Sequence, residues 1–249
     1  RDWVRFSYTD PGYDRPGAEL AKHWPRLHRG DAERLPDVRR VAATCRRGSE
    51  ARKLVVVDGD DATLAAGVQD AWRAFHRGDF EAAWNAGREL GPLGASAAVK
   101  AAGVYATYLA ESGAAAEKLL LEAVALAESA ARASPAYANA HYFHAFALGR
   151  YSQRISVLKA LAAGHAGRVR QSLERALELE PKHADAHLAL GLYHAEIVGK
   201  VGGVAAKVTY GASAASAEKH FEKALALFPG SPIALMEYGN GLLTMHGEK

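Results

Sequence analysis

Three stretches of this chain align without gaps around a proline: Pro135-Ala-Tyr-Ala-Asn-Ala-His141, Pro181-Lys-His-Ala-Asp-Ala-His187 and the looser Pro229-Gly-Ser-Pro-Ile-Ala-Leu235. Such self-similarity restricts a chain to stacked copies of one small unit, each unable to bury its apolar face alone. The unit is helical. Upstream of each proline runs Ala217-x3-Phe221-x2-Ala224, Val169-x3-Leu173-x2-Ala176 or Ala123-x3-Ala127-x2-Ala130, always five residues before it. Downstream, His187-x2-Leu190-Gly191 matches Leu235-x2-Tyr238-Gly239. The small residues let paired helices touch, the bulky ones fill the space between pairs, and the proline ends one helix and opens the next turn.

The helical pattern extends well beyond these copies. Asp60 or Asp61 can cap a helix running to about Arg77, and Gly78-Asp79 then breaks the chain before a second helix from Phe80 to Leu90. Further helices are expected at 95–111, 114–133, 136–150, 166–179, 183–198, 214–227 and 232–244. Residues 1–58 differ. Four prolines, several glycines and many charges predict an irregular arm with short helices near 18–29 and 37–46, the first containing Pro25, and a short β-branched run at 54–57. Two regions follow: the arm at 1–58, packed against one end, and a helical repeat domain at 59–249.

The repeat resembles the tetratricopeptide (TPR) pattern W-x2-L-G-x2-Y, A-x3-F, P, best in the runs EKALALFP and ERALELEP. The resemblance implies an all-α fold of four to five helical hairpins in a right-handed superhelix, with a protein or peptide partner on the concave face. The spacing departs from the family: successive prolines lie 46 and 48 residues apart, against about 34 in a TPR. The surplus falls between paired helices, at 151–164 and 199–212. Insertions placed so, together with the run from Tyr210 to Pro229, resemble regulator-of-microtubule-dynamics proteins and the T component found with bacterial TRAP transporters. Both insertions are apolar (ISVLKALAAG and VGGVAAKVTYG), which suits a segment that packs. Each is expected to form a short helix or to extend the first helix of its hairpin. They either cover the groove and make it a pocket, or merely lengthen helices that pack on one another.

If the first helices of the hairpins line the groove, four-residue spacing places Tyr142, Phe146 and Arg150 on one face. That set would anchor an apolar group and an anion such as a carboxylate. The equivalent positions are Leu188, Leu192 and Glu196, then Met236, Asn240 and Thr244. Ordinary packing between repeats explains the same residues. Packing also accounts for His183 and His187 better than a metal does, since no carboxylate completes a zinc-protease motif. Arg29-Gly30-Asp31 and Arg77-Gly78-Asp79 repeat one tripeptide inside a longer shared frame, His23-Trp24 to Asp31 against Ala71-Trp72 to Asp79. This reads as turn chemistry and a vestigial hairpin.

No Walker loop, nucleophile elbow, Rossmann fingerprint or Cys–His signature occurs, so the chain is read as a non-catalytic scaffold without cofactor or metal. The alternative is a small-ligand binder, transport-associated, whose insertions line a pocket for an apolar or carboxylated molecule. The net charge of +3 is gathered in Arg34, Arg39, Arg40, Arg46, Arg47, Arg52 and Lys53. That is too sparse, and too poor in interleaved aromatics, for nucleic acid. No apolar run reaches the ~18 residues of a membrane span. No compartment follows: the lone Cys45 fits a reducing one, while a chain opening on Arg1 is also what a removed leader leaves. The last helix lacks a hairpin mate, so truncation, another molecule or self-association is expected to account for its apolar side.

Overall fold

The computed structural model describes residues 3–46, 48–111 and 113–247; Arg47 of the basic group lies outside them. Among the described residues the chain is all-α, with no strand. The arm contributes α1 (Ala18–Leu27), α2 (Val38–Thr44) and α3 (Glu50–Lys53). The repeats contribute α4 (Asp61–His76), α5 (Phe80–Glu89), α6 (Ala95–Tyr108), α7 (Gly113–Ala133), α8 (Ala138–Arg154), α9 (Val157–Ala162), α10 (His165–Leu179), α11 (Ala184–Val201), α12 (Gly203–Tyr210), α13 (Ala214–Leu227) and α14 (Pro232–His246).

Short polar side chains start many of these helices by accepting an otherwise orphaned backbone N–H. Asp37, Asp60, Asp79, Ser156, Ser213 and Ser231 all do so. His183 does the same for α11 through its ring nitrogen Nδ1, which accepts from the Ala186 N–H at 3.0 Å. Asp79 is therefore a cap, and the Arg77-Gly78-Asp79 tripeptide is the turn that joins α4 to α5.

The helices pair as TPR-like hairpins: α4 with α5, α6 with α7, α8 with α10 and α11 with α13, while α14 packs on α11 and α13. The repeat residues form the seams. Ala123, Ala127 and Ala130, then Leu173 and Ala176, then Ala217, Phe221 and Ala224 are all buried. Their small side chains permit the close approach that aligned the segments in the sequence. At Gly191 the approach is close: an added Cβ would lie 2.8 Å from the Phe221 ring.

Each insertion both lengthens the first helix of its hairpin and adds a short helix. After α8, the chain forms α9 and packs back on α8 and α10. After α11, α12 buries Ala206 and is tied down at its end, where the Tyr210 carbonyl accepts from the Tyr193 hydroxyl and from Arg170, each at 3.0 Å. Val204 and Val208 remain exposed on its outer side. The run at 54–57 forms no strand; Val56 makes a single backbone bond, to the Glu89 carbonyl at 3.1 Å.

The arm is not confined to one end of the stack. Phe6 packs on Phe80 and Trp3 stacks on Tyr105 at 4.0 Å. The two shared frames meet face to face: Trp24 lies edge-on to Trp72 at 6.0 Å, and the Nε2 atoms of His28 and His76 are 3.2 Å apart. Residues 28–34 then run on to later repeats. The Glu33 carboxylate accepts from the Tyr137 hydroxyl and the Asn139 amide, and the Gly30 carbonyl accepts from the Asp185 N–H at 2.9 Å. Arg29 lies over the Phe228 ring at 5.0 Å. The physical reason is polar satisfaction: the buried Glu33 carboxylate and the Gly30 carbonyl find donors at the starts of α8 and α11, and the Asp31 carboxylate finds one on Lys100 of α6.

Candidate functional site

The first helices of successive hairpins (α6, α8, α11) and α14 enclose a cavity of about 440 Å³. Tyr142 and Phe146 of α8 and Leu188 and Leu192 of α11 face each other across it, with Val169 and Leu173 of α10 behind. Gly103 of α6 lies directly beneath Phe146, where a Cβ would meet the ring edge. Phe146 thus packs its ring edge against bare backbone, a position that any side chain at Gly103 would deny it. A volume of several hundred Å³ with apolar walls is that of a small-molecule or side-chain pocket.

The two insertions differ here. Ala160 and Leu161 of α9 form part of the wall. No residue of α12 lines the cavity.

Polar groups gather at two places. Toward the C-terminal ends of α8 and α11, Arg150 lies over Phe146 at 5.6 Å and donates to Gln153, which donates to Glu196 at 2.7 Å. Lys200 donates to the other oxygen of Glu196 at 3.1 Å. These exposed groups satisfy one another, and each bond contributes little in water. At the other end lie Lys100, Asp185 and the Tyr142 hydroxyl. Lys100 donates to the fully buried Asp31 at 2.6 Å, and His28 Nδ1 lies 2.9 Å from the other Asp31 oxygen. Burial opposes the Asp31 charge, but Lys100 and His28 outweigh it and hold the carboxyl far below the usual range. Burial likewise opposes the Lys100 charge, and Asp31, with Asp185 behind it, raises the ammonium above its ordinary value. For Asp185 burial wins: its carboxyl is pushed up to about 6, against the pull of Lys100. The Tyr142 hydroxyl is pushed up as well, by burial and then by Asp185.

The structure brings Tyr142, Phe146, Arg150, Leu188, Leu192 and Glu196 to one cavity. It does not bring Met236 or Asn240 there: both are exposed, as is Thr244's neighbour Leu243. The α14 residues that do line the cavity are Ile233 and Glu237, one turn earlier. Position-by-position alignment carried the register to α14 but not which of its residues reach the cavity. Sequence reasoning also missed Lys100 and Asp185. Asp185 aligns with Asn139 and Ile233, a charge where the other two copies carry none, and that contrast was the available signal.

Several histidines contact one another or Asn139. His183 Nε2 lies 2.7 Å from the Asn139 Oδ1, and His187 and His220 meet through their Nδ1 atoms at 2.9 Å, with His194 stacked on His220. No group of three or more metal-binding side chains occurs among the described residues.

Fold and cavity define a TPR-like helical-repeat protein, a fold that suggests a protein-binding scaffold. Residues 95–238, more than half of the chain, match the family model for regulator of microtubule dynamics protein 1-3. The chain belongs to that family. It is also similar to a solved thermophilic TPR protein from Thermus thermophilus, at 19% identity and a TM-score of 0.49, covering 72% of this chain and 81% of that one. No curated protein matches it in sequence. No helix of the described residues is long and apolar enough to cross a membrane.

Proposed function

We propose that this chain is a non-catalytic binding module that takes an elongated apolar chain, presented by a protein or peptide partner, into the cavity between α6, α8, α10, α11 and α14. The observation that carries the reading is the cavity itself. It is walled by the face that the TPR resemblance assigns to partners, and its polar groups sit at its ends rather than along its walls. Apolar walls supply affinity through area removed from water, and the end groups fix orientation. Ser152 Oγ lies 2.9 Å from His165 Nδ1 at the cavity. Its hydroxyl, however, donates to the Leu148 carbonyl at 2.6 Å and so is not given to the imidazole as a nucleophile's would be, which is why binding is preferred to catalysis. A free small ligand is the second reading, favoured by α9, which closes part of the wall as a lid on a ligand pocket would.

Gly149 offers the test. It lines the cavity, and a Cβ added there meets nothing within 4 Å. Gly149→Phe therefore fills the cavity without a clash in the wall. The neutral apolar dye N-phenyl-1-naphthylamine should bind the native chain at one site and bind Gly149→Phe at least tenfold more weakly, with thermal melting unchanged. Equal dye binding by both proteins would place the apolar site elsewhere.

A further inference from the structure

At the inner end of the cavity lies a carboxylate that nothing in the chain answers directly. Asp185, in the first turn of α11, is half-buried among the repeats and lines the cavity. Among the described residues its side-chain oxygens have no hydrogen-bond or ion-pair partner. The nearby cation is committed elsewhere: Lys100 bonds Asp31 at 2.6 Å and lies over the Phe75 and Trp72 rings at 5.3 and 5.8 Å. The Tyr142 hydroxyl, also facing the cavity, has no partner of its own among the described residues. An Asp in a first turn gains from the helix dipole, but a solvated one gains as much without the cost of burial.

We propose that the cavity takes a primary ammonium at the tip of an unbranched apolar stem, with the ammonium on Asp185 and the stem between Phe146, Val169, Leu188 and Leu192. This rests on the reading of the cavity as a binding site. The charge balance favours it. Asp31 and Lys100 cancel, and Asp185 is left as the unbalanced charge at the inner end, so an entering cation is attracted and an entering carboxylate repelled. The geometry favours it too. From Asp185 to Glu196 the cavity follows α11 for eleven residues, a rise of roughly 16 Å, lined by Leu188 and Leu192. The position of the carboxylate is set by Gly30, whose carbonyl holds the Asp185 N–H. A Cβ on Gly30 would lie 2.4 Å from Asp185 Oδ1, so any side chain there must displace it.

The test is isothermal titration calorimetry of the whole chain at pH 7.5 with n-octylammonium, n-octanol, n-octanoate and n-butylammonium. Octylammonium should bind about tenfold more tightly than octanol, and octanoate more weakly than either. Asp185→Asn should close the gap between ammonium and alcohol while leaving octanol unchanged. Gly30→Ala should narrow the same gap by moving the carboxylate, which keeps the test alive if Asp185→Asn folds poorly by circular dichroism. From pH 8 to pH 5 the ammonium preference should fade as Asp185, facing Lys100, Asp31 and Tyr142, takes up a proton near 6. Butylammonium has the stem of a lysine side chain. Binding as tight as octylammonium points to a lysine of a protein partner; much weaker binding points to a free long-chain amine. If octanol and octanoate bind with no ammonium preference, or the preference survives both variants, the ammonium assignment is overturned and the apolar site stands. If no probe binds, the site reading fails and this inference with it.

Discussion

Helices α11 and α14 begin from the same sequence pattern and end in opposite circumstances. Both follow a proline, both are capped two residues after it, by His183 and Ser231, and both carry a glycine ten residues after it. Yet α11 lies between α10, α12, α13 and α14 and buries residues along its whole length, while α14 buries only Ala234 and Gly241. Leu188 is 7% exposed; Met236, at the same repeat position, is 49% exposed. A repeat pattern therefore specifies how a helix pairs, while neighbours decide what each position costs or contributes.

The largest contrast lies at the caps. His183 Nδ1 accepts from the Ala186 N–H, and only the neutral ring can do so. Burial pushes its pKa down to about 4 from an ordinary 6.5. Because the unfolded chain binds the proton more readily, this stability is present above pH 6.5 and is lost as pH falls toward 4. The shift corresponds to about 3 kcal/mol. Asp185 works the other way: its carboxyl, raised to about 6, costs stability at neutral pH, and that cost lifts as the group protonates. The difference between native and His183→Asn isolates the histidine, since Asn also caps. Urea midpoints at pH 7 and pH 4.5 should fall further for the native chain than for the variant. Ser231→Asn should leave the slope unchanged, and equal slopes for native and His183→Asn would remove the histidine from the account.

Next come the matched apolar positions. Leu188→Ala should cost about 2 to 3 kcal/mol, the lower part of the usual range because Leu188 already borders open space on its cavity side. Met236→Ala should stay within about 0.5 kcal/mol. Chemical denaturation of the two single variants checks the pair. A large loss at Met236 that grows with protein concentration would mean that a second copy covers α14, where Leu235, Met236 and Leu243 are exposed.

The sequence made the seams of the stack legible and its edges less so. The Ala-x3-Phe-x2-Ala spacing reports a contact between partners of one hairpin, so Ala217, Phe221 and Ala224 could be read as buried without a structure. The apolar character of residues 151–164 and 199–212 announced packing, but composition does not say against what, and of the two short helices formed there α9 reaches the cavity and α12 does not. The site was half legible for a related reason. Four-residue spacing fixes which residues share a helix face, hence Tyr142, Phe146 and Leu188, but not how far a helix is rotated against its neighbours. On α14 the residues at the cavity are Ile233 and Glu237, not Met236 and Asn240. The arm's reach was least legible: the bonds from residues 28–34 to Asn139 and Asp185 span about a hundred residues or more and leave no local period to read.

The smallest contrast is one of sign. Gly191 and Gly239 are equivalent in the repeat, and in an isolated helix each would gain about 1 kcal/mol on replacement by alanine. At Gly239 nothing lies within 4 Å of the new methyl group, so Gly239→Ala should raise stability by nearly that amount. At Gly191 the methyl would lie 2.8 Å from Phe221, whose ring is fully buried and also pressed by Gly241 from α14, with 2.6 Å to a Cβ there. The ring has nowhere to go, and overpacking of about 1 to 3 kcal/mol outweighs the gain in helix propensity. Gly191→Ala should therefore melt below the native chain and Gly239→Ala above it. Opposite shifts would tie the repeat glycine to the Phe221 contact. A rise in both would mean that α11 and α13 can separate slightly at no cost, and that the seam is looser than the native packing implies.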